Sequence, residues 1–365
     1  MKNKYCTVLV ALIWVFLPNS NYARTLCVDA NAKTSGKGIC WERPYLTLQE
    51  ALTHAEQDKS IDEIWIAKGV YKPTKTYSPK NKQGLVVNAG AMSLKEYNPG
   101  VTIDKTLVHY EDNFAKFNRY LKTFQLVNNV NLYGGFQGSE KSKSERVSDL
   151  ELTQTILDGE LDGYSVWHVI SAGNDITLEG VKSKLDRLTV RNGNAISAPY
   201  YPVNFPLKPN EVPVYYHDDA GGLYIFARSE ITLNQMVFEN NAGIAGGAIY
   251  VEDGSVLEIM DSTFKNNVAA EGGAINIRAG GPNEFLQPQN ARITKVTITN
   301  CDFINNASFH GSAIFVNDTQ LNPPIKASSQ DIRLINCRFT NNRIMKKDEA
   351  TPMINTLLKI YRARK

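Results

Sequence analysis

A short phrase, Phe followed by any residue and then two Asn, occurs four times in the second half of this chain. Its copies span residues 238–241, 264–267, 303–306 and 339–342. In the first three copies a second phrase, Gly-Gly-Ala-Ile or Gly-Ser-Ala-Ile, follows the Phe at constant distance. A phrase with two parts in constant spacing is a structural repeat, and repeats of this length are typical of stacked, solenoid architectures.

The residues that precede each Phe alternate as β-strands do. Apolar residues stand seven and five positions before it, and a small or apolar residue stands two positions before it. The even step marks a strand, and the odd step requires a bend between two short strands. Gly-Gly-Ala-Ile then supplies a third strand. The sequence therefore predicts an all-β fold, a parallel β-helix with three faces and roughly eight coils.

The second Asn of each phrase is predicted to be structural. Asn tolerates left-handed backbone and suits a sharp corner, and stacked Asn side chains can hydrogen-bond from coil to coil. These corner residues are Asn241, Asn267, Asn306 and Asn342. Stacked Phe and Ile columns would fill the interior. A β-sandwich is the competing interpretation, but three columns keep their phase over four copies.

Insertions interrupt the repeat. Successive Phe residues are 26, 39 and 36 positions apart. The first coil therefore has no insertion, and the next two contain insertions at residues 280–289 and 317–330. Both insertions follow the Gly-Gly-Ala-Ile strand and should project from one side. A fainter coil at residues 185–193 has Val190 in the Phe position, and an insertion at residues 195–219 delays its next Gly-Gly.

The first 23 residues have the features of a secretion signal. Lys2 and Lys4 precede an apolar run at residues 7–17, and Ala23 is the predicted last residue of the signal. The run is too short to span a bilayer. We therefore expect an exported protein whose mature chain has no transmembrane segment, located outside the cell, at the outer membrane or in the periplasm.

The mature chain is predicted to contain a single β-helix domain at residues 24–342, with the clear repeats at 226–342. Residues 24–75 would form an N-terminal cap and the first strand, at 62–71, before an insertion at 76–118. The remaining features concern the two ends of this domain.

A capping box at Thr47 and Glu50 opens a short helix with one apolar face, which can cover the first coil. The other end shows no such box. Residues 343–365 read as a basic tail with a weakly helical piece around 354–361. Either that piece caps the last coil or the chain is shorter than its relatives.

Four cysteines follow the predicted signal. Cys27 and Cys40 flank a loop rich in Gly and Lys and can close it as a disulfide in an oxidising compartment. Cys301 and Cys337 occupy the same inward column of adjacent coils, about 4.8 Å apart, which is within the range that a disulfide accepts. A bond and two stacked free thiols are equal alternatives for this second pair.

The composition of the chain limits the classes of molecule that it is expected to bind. The chain has 365 residues, of which 42% are hydrophobic, so it can bury a sizeable core. Its formal net charge is +3, and no basic run alternates with aromatic residues. We therefore expect no nucleic-acid partner.

Several segments resemble one group of secreted bacterial proteins. They lie at residues 27–32, 48–52, 62–74, 124–126, 132–140, 156–159 and 168–170. In these segments the chain is similar to right-handed parallel β-helix proteins of the pectin-lyase-like superfamily. The two repeated phrases resemble the repeats of chlamydial polymorphic outer-membrane proteins. The resemblance implies a secreted or surface-exposed protein, in several cases an adhesin.

The superfamily also includes polysaccharide lyases and hydrolases, which need a base, a Ca²⁺ site or paired carboxylates. The candidate acid–base residues are His217, Asp218 and Asp219, at the end of the insertion at 195–219. Side chains of adjacent residues rarely converge on one point, so a solvated loop end is the competing interpretation.

One acidic motif resembles the opening of a calcium loop. Asp158, Glu160 and Asp162 stand at its first, third and fifth positions, with Gly163 at the sixth. The twelfth position, which requires a bidentate Glu, is Val169. A turn between strands is the simpler interpretation. We therefore predict no cofactor, with Ca²⁺ as the candidate to consider.

Binding is predicted to involve tyrosines of two insertions. The candidates are Tyr97, Tyr110, Tyr200, Tyr201, Tyr215 and Tyr216. An exposed Tyr offers a flat apolar face with a polar rim, which suits sugar rings and protein partners alike. The competing interpretation is that aromatic residues of the insertions fold down onto the solenoid and pin the loops.

The combined prediction is a secreted or envelope-associated β-helix that binds a glycan or a cell-surface protein without catalysis. A polysaccharide lyase or glycoside hydrolase is the first alternative, because fold alone does not decide function. The second alternative is a truncated relic of a longer surface protein.

Overall fold

The computed structural model describes residues 24–77, 119–149, 154–174, 179–197, 219–226, 228–252, 254–278, 293–317 and 331–346. Over these residues the chain winds into a parallel β-helix, in which strands of successive coils pair side by side. The predicted fold class is confirmed. Three sheets run along the solenoid and are called sheets 1, 2 and 3, in the order in which a coil passes through them. The predicted signal lies outside the described residues.

The three long sheets contain eight, seven and six described strands. Sheet 1 comprises Arg24–Val28, Ile61–Ala67, Asn131–Phe136, Lys182–Asp186, Glu230–Asn234, Val256–Met260, Lys295–Thr299 and Ile332–Ile335. Sheet 2 comprises Gly69–Tyr71, Thr155–Asp158, Thr189–Arg191, Val237–Glu239, Thr263–Lys265, Asp302–Ile304 and Arg338–Thr340. Sheet 3 comprises Phe124–Gln125, Ile170–Ala172, Leu223–Ile225, Ile249–Val251, Ile275–Arg278 and Ile314–Asn317.

A fourth, short sheet lies between sheets 2 and 3 in the last coils. Its strands are Ala242–Ala245, Val268–Glu271, Ala307–Ser308 and Arg343–Ile344. The prediction of three strands per coil was therefore incomplete, because these segments of two to four residues are too short to show alternation. The last of them also places the start of the predicted basic tail inside the final coil.

The repeated Phe residues form one continuous stack in the core. Neighbouring rings from Phe238 to Phe264, Phe303 and Phe339 are nearly parallel, with centroids 5.1, 4.9 and 4.9 Å apart. Strands of successive coils pair in register, so each Phe stands beside the next. Val190 pairs with Phe238, as the fainter coil predicted. Burial of this column and of the inward Ile and Leu columns holds the coils together.

The two Asn of each corner have different roles. The first, such as Asn266, has a left-handed backbone with φ of 57°. The second, such as Asn267, is fully buried and forms a ladder with its neighbours. The Nδ2 of Asn267 donates to Oδ1 of Asn306 and to the Phe238 carbonyl, both at 3.0 Å.

The same ladder continues in both directions. The Asn241 backbone N–H donates to Oδ1 of Asn267 at 3.0 Å, and that of Asn306 donates to Oδ1 of Asn342 at 2.9 Å. Since a buried backbone N–H needs a partner, the side chain of one coil satisfies the corner of the coil before it.

The bend between sheets 1 and 2 also uses left-handed backbone. Gln235, Asp261, Asn300 and Asn336 have φ between 49° and 53°. Asp302, which follows the bend at Asn300, begins a strand of sheet 2. Its carboxylate accepts hydrogen bonds of 2.6 and 2.7 Å from the guanidinium of Arg338.

A helix closes the N-terminal end. Leu48–Gln57 begins at a complete capping box between Thr47 and Glu50, and its apolar face joins the solenoid core. The helix prediction is confirmed, but the first strand is Arg24–Val28, which pairs with Ile61–Ala67. The predicted strand at 62–71 is divided between sheets 1 and 2, because the chain bends at Lys68 and Gly69.

A disulfide ties down the loop before this helix. It joins Cys27, in the first strand, to Cys40, with the two Cα atoms 4.4 Å apart. Short 3₁₀ helices lie at Cys40–Glu42, Lys143–Glu145 and Ala195–Ser197. Among the described residues, no helix combines the length and the apolar character that crossing a membrane requires.

Candidate functional site

Each of four insertions directly follows or precedes the part of the chain that forms sheet 3. Residues 279–292 and 318–330 directly follow the sheet 3 strands Ile275–Arg278 and Ile314–Asn317. Residues 78–118 and 198–218 fall between a strand of sheet 2 and the next strand of sheet 3. The outer face of sheet 3, with the chain that leads into it, is called the loop-bearing side.

Aromatic residues cover the middle of the loop-bearing side. Tyr224 and Tyr250 point outward from neighbouring strands of sheet 3, with ring centroids 5.2 Å apart. Phe226 lies 4.4 Å from Tyr224, and Tyr77 stacks on Phe226 at 5.5 Å. These four side chains are buried. Tyr77 therefore packs onto the solenoid, as the competing interpretation of the aromatic insertions predicted.

A more accessible group lies at the edge of this cluster. The guanidinium of Arg119 lies over the rings of Tyr120 and Tyr164, at 4.6 and 5.2 Å from their centroids. It also donates a hydrogen bond of 2.6 Å to the Tyr120 hydroxyl. Arg119 is exposed, and the two rings are half-buried. These three residues are called the Arg119 rim.

The Arg119 rim is held in place from below. Tyr120 stacks on the buried ring of Trp167 with centroids 6.0 Å apart, and its carbonyl accepts a 2.8 Å hydrogen bond from the Trp167 backbone. Tyr164 belongs to an antiparallel pair formed by Glu160–Leu161 and Tyr164–Ser165. A cation above two fixed rings offers charge and flat apolar surface together, which suits an acidic sugar or an acidic peptide.

Polar groups lie behind the aromatic cluster. The Tyr224 hydroxyl donates a 2.8 Å hydrogen bond to Oε1 of Glu252. Burial, and then the charges of Glu252 and Asp219 with the Tyr250 hydroxyl, raise the pKa of Tyr224 well above its ordinary value. Asp219, a predicted acid–base residue, is buried and accepts a 3.1 Å hydrogen bond from the Ala245 backbone. The Glu252 carboxylate therefore contacts the Tyr224 hydroxyl, and the charge of Asp219 also acts on it.

The other acid–base candidates, His217 and Asp218, lie outside the described residues. So do the six tyrosines proposed for binding: Tyr97, Tyr110, Tyr200, Tyr201, Tyr215 and Tyr216. Described residues near the ends of both tyrosine-rich insertions pack in the aromatic cluster, namely Tyr77, Leu121, Ala195 and Ala220.

His168 is a structural residue of this side. Its Nδ1–H donates a 2.7 Å hydrogen bond to the Ala220 carbonyl, and its ring packs against Tyr224 with centroids 5.1 Å apart. Burial lowers the pKa of His168 to about 4, although the hydrogen bond to Ala220 opposes that shift. The ring is therefore neutral at physiological pH and links two coils.

The calcium-loop motif forms a hairpin. Asp162 and Gly163 have φ of 37° and 85° and make its turn, which matches the simpler interpretation. Asp158 lies apart in sheet 2, where Arg191 and Asn192 each donate to its carboxylate at 2.9 Å.

The environment of Asp158 matches a structural ion pair. Burial would raise the pKa of Asp158, but hydrogen bonds from the Glu160 backbone, Asn192 and Arg191 hold it below its ordinary value. Over the described part of the chain, no group of three or more His, Cys, Asp or Glu is arranged to hold a metal ion.

The second cysteine pair is present as free thiols. Cys301 is buried and Cys337 is partly exposed. The Cys301 thiol donates to the Thr299 carbonyl at 3.2 Å, and the Cys337 thiol donates to the Ile335 carbonyl at 3.5 Å. Burial raises the pKa of Cys301 to about 12. Of the two predicted alternatives, the structure therefore contains stacked thiols.

Sequence reasoning missed Trp167, Tyr224, Tyr250 and the Arg119 rim. Tyr224 and Tyr250 had a usable signal, since each is the middle residue of an apolar triplet after Gly-Gly and must point away from the core. The Arg119 rim had none, because its residues come from separate parts of the chain.

Residues 261–278 match the Chlamydia polymorphic membrane protein repeat. The matched stretch contains one Phe-x-Asn-Asn phrase and one Gly-Gly-Ala-Ile phrase, and it forms strands of sheet 2, the short sheet and sheet 3. No curated protein and no solved structure matches the chain. The repeat points to an envelope-associated surface protein.

Proposed function

We propose that this chain binds a glycan at the envelope surface, through its loop-bearing side and without cleaving it. The observation that carries the proposal is the Arg119 rim, an exposed cation over two half-buried tyrosine rings at the border of a tyrosine-rich insertion. Sugar rings present C–H faces that pack on aromatic rings, and acidic sugars add a carboxylate for Arg. An acidic glycan is therefore the expected ligand.

The aromatic cluster supports the same proposal. Its buried rings keep Tyr120 and Tyr164 in fixed positions, so that little conformational entropy is lost when a ligand packs on them. A protein partner with an acidic, flat surface would use the same groups and is the competing outcome of the test.

The test measures retention and chain shortening of acidic and neutral polysaccharides by the full chain, with and without Ca²⁺. Arg119→Ala should weaken retention of an acidic polymer by about 10- to 150-fold, since a charged hydrogen bond contributes roughly 1.5–3 kcal/mol. Lys182→Ala is the matched control, because Lys182 is an exposed cation on the outer face of sheet 1.

If Arg119→Ala and Lys182→Ala weaken retention equally, retention depends on the net charge of the chain. That result would contradict the proposed site. Absence of retention for every polymer would contradict glycan binding itself. In that case, pull-down of an acidic protein that depends on Arg119 would identify the competing outcome.

One observation favours a second function, glycoside hydrolysis. Glu252 accepts a hydrogen bond from the Tyr224 hydroxyl and the charge of Asp219 acts on the same hydroxyl, and a hydrolase needs two carboxylates in one site. Chain shortening of a polysaccharide that Glu252→Gln abolishes would support hydrolysis and would overturn the non-catalytic proposal.

A further inference from the structure

Asn276 interrupts a row of aromatic side chains on the outer face of sheet 3. Tyr250 stands beside it in the preceding strand, and Phe315 stands beside it in the following strand. Tyr224 is the neighbour of Tyr250 one strand earlier. Side chains at these middle positions of the strands point away from the core. Asn276 therefore lies on the loop-bearing side, in line with the aromatic cluster.

The Asn276 amide is buried without a described hydrogen-bond partner. The residue is 1% exposed, and over the described part of the chain neither its Oδ1 nor its Nδ2 has a partner. The buried amides of the Asn ladder differ in this respect. The Nδ2 of Asn267 donates to Asn306, and its Oδ1 accepts from the Asn241 backbone. A buried polar group without a partner lowers stability, so Asn276 requires an explanation other than folding.

Packing alone would favour an apolar residue at this position. The neighbouring residues of the row are Tyr250 and Phe315, and an apolar side chain of the size of Asn would pack between them without an unsatisfied amide. Binding requires groups that folding does not, and residues that oppose stability are therefore concentrated at functional sites. Asn276 is thus a candidate binding residue.

The amide also limits the chemistry of its ligand. Its Oδ1 accepts and its Nδ2 donates, side by side in one plane. A hydroxyl group does both, so of two adjacent hydroxyls one donates to Oδ1 while the other accepts from Nδ2. A trans peptide group directs its N–H and its C=O to opposite sides, and a single peptide group therefore cannot satisfy both atoms. Adjacent hydroxyls of a sugar ring fit Asn276 better than a peptide does.

We propose that Asn276 binds two adjacent hydroxyl groups of a sugar ring, which packs its C–H face against Tyr250 and Phe315. The inference rests on the proposed glycan binding and adds to it a second group that the ligand must carry. The acidic group belongs to the Arg119 rim, and the pair of free hydroxyls belongs to Asn276.

Phe315 controls access to the amide. Tyr250 is buried, whereas Phe315 is half-buried and belongs to Ile314–Asn317, the last described strand of sheet 3. Its ring can therefore change rotamer towards the side that has no described neighbouring strand. Side-chain rotamer changes of this kind are common when a ligand binds. The movement opens a slot above Asn276, with Tyr250 as the opposite wall.

The Arg119 rim and Asn276 can contact one polymer. Tyr120 of the rim stacks on Trp167, which leads into the strand Ile170–Ala172. Three strand spacings of sheet 3 separate that strand from Ile275–Arg278. At about 4.8 Å per spacing, the two groups lie about 14 Å apart along the axis of the solenoid. A glycan chain that runs along the loop-bearing side would contact both.

The first measurement compares the urea midpoints of two variants of the full chain. Asn276→Leu removes an amide that has no partner and should keep or raise the midpoint. Asn267→Leu is the matched control, because it removes a buried amide of the ladder that is fully hydrogen-bonded, and it should lower the midpoint. A lower midpoint for Asn276→Leu would show that folding requires this amide, and the proposal would be overturned.

The second measurement is retention of a linear polyuronate whose residues carry a carboxylate and adjacent free hydroxyls. The same polymer after O-acetylation keeps its carboxylates but loses the hydroxyl donors. The native chain should retain the unmodified polymer about 10-fold more strongly, which corresponds to two neutral hydrogen bonds. Asn276→Leu should abolish this preference. Arg119→Ala should weaken retention of both polymers and leave the preference intact.

The outcomes separate this inference from the proposed function. A preference that persists in Asn276→Leu would place hydroxyl recognition elsewhere. Equal retention of the two polymers by the native chain would mean that the amide holds an ordered water only. Either result would overturn the role of Asn276 while retention that depends on Arg119 still supports glycan binding. Absence of retention for both polymers would contradict glycan binding and this inference together.

Discussion

At the scale of single residues, identical neighbours perform different tasks. Asn266 takes up the left-handed backbone of the corner, whereas the adjacent Asn267 is buried and hydrogen-bonds to the coils on either side. Asn can serve both purposes, because it tolerates positive φ and because its amide both donates and accepts.

His168 makes stability depend on pH. Its pKa falls to about 4 in the folded protein, below the ordinary value of 6.5. Between these two pH values the unfolded chain therefore binds more protons than the folded chain. The contribution of His168 to the free energy of unfolding is fully present above pH 6.5 and decreases as the pH falls towards 4. The decrease should be about 3 kcal/mol.

The measurement is the free energy of unfolding in urea at pH values from 7 to 4. His168→Gln, which keeps a donor for the Ala220 carbonyl but does not titrate, should remove most of the slope in this window. A slope that is unchanged in His168→Gln would assign the pH dependence to other groups.

At the scale of elements, sheet 3 depends on residues without side chains. Gly247 and Gly273 approach the backbone of the next coil so closely that a Cβ on either would lie 2.3–2.4 Å from a carbonyl oxygen. Ser312 occupies the same position two residues before the last described strand of this sheet, Ile314–Asn317. The small residues therefore allow each coil to stack on the next.

We predict that Gly273→Ala lowers the free energy of unfolding by about 3 kcal/mol, since its Cβ would meet only backbone atoms that cannot move aside cheaply. Ser312→Ala is the matched control and should cost less than about 0.5 kcal/mol. Urea unfolding of both variants checks the difference. Equal losses of unfolding free energy in the two variants would show that the backbone around residue 273 accommodates the added Cβ without a free-energy cost.

At the scale of the whole molecule, the solenoid is stabilised between neighbouring coils. Phe264 and Phe303 each pack between the rings of the coil before and the coil after, whereas Phe238 and Phe339, at the two ends of the stack, each have one described Phe neighbour. Stability in such an architecture is a sum of local terms, so a substitution at the end should act differently from one in the middle.

Phe264→Ala should lower the free energy of unfolding by about 3–5 kcal/mol, because it removes a completely buried ring. Phe339→Ala should cost less than half as much, since the ring is 50% exposed. Amide exchange should increase over several coils in the first variant and only in the last coil in the second. A similar cost for both would mean that Phe339 is as deeply covered as Phe264.

The periodic features of the fold could be predicted from the amino-acid sequence. Inward columns, the Asn corners and the helix Leu48–Gln57 follow from local rules of alternation, backbone preference and capping, which act over a few residues. The free thiols of Cys301 and Cys337 could not be derived, because spacing permits both a bond and its absence.

The candidate site depends on contacts between distant parts of the chain. Arg119, Tyr120 and Tyr164 meet because the chain at Arg119 and Tyr120 packs beside the hairpin that contains Tyr164. The strand Arg24–Val28 likewise could not be assigned before its partner strand was known, since a five-residue segment with three apolar residues fits several structures. Repeats reveal a fold because every coil repeats the same local physics, whereas a binding surface arises once, from the way the coils and insertions pack in three dimensions.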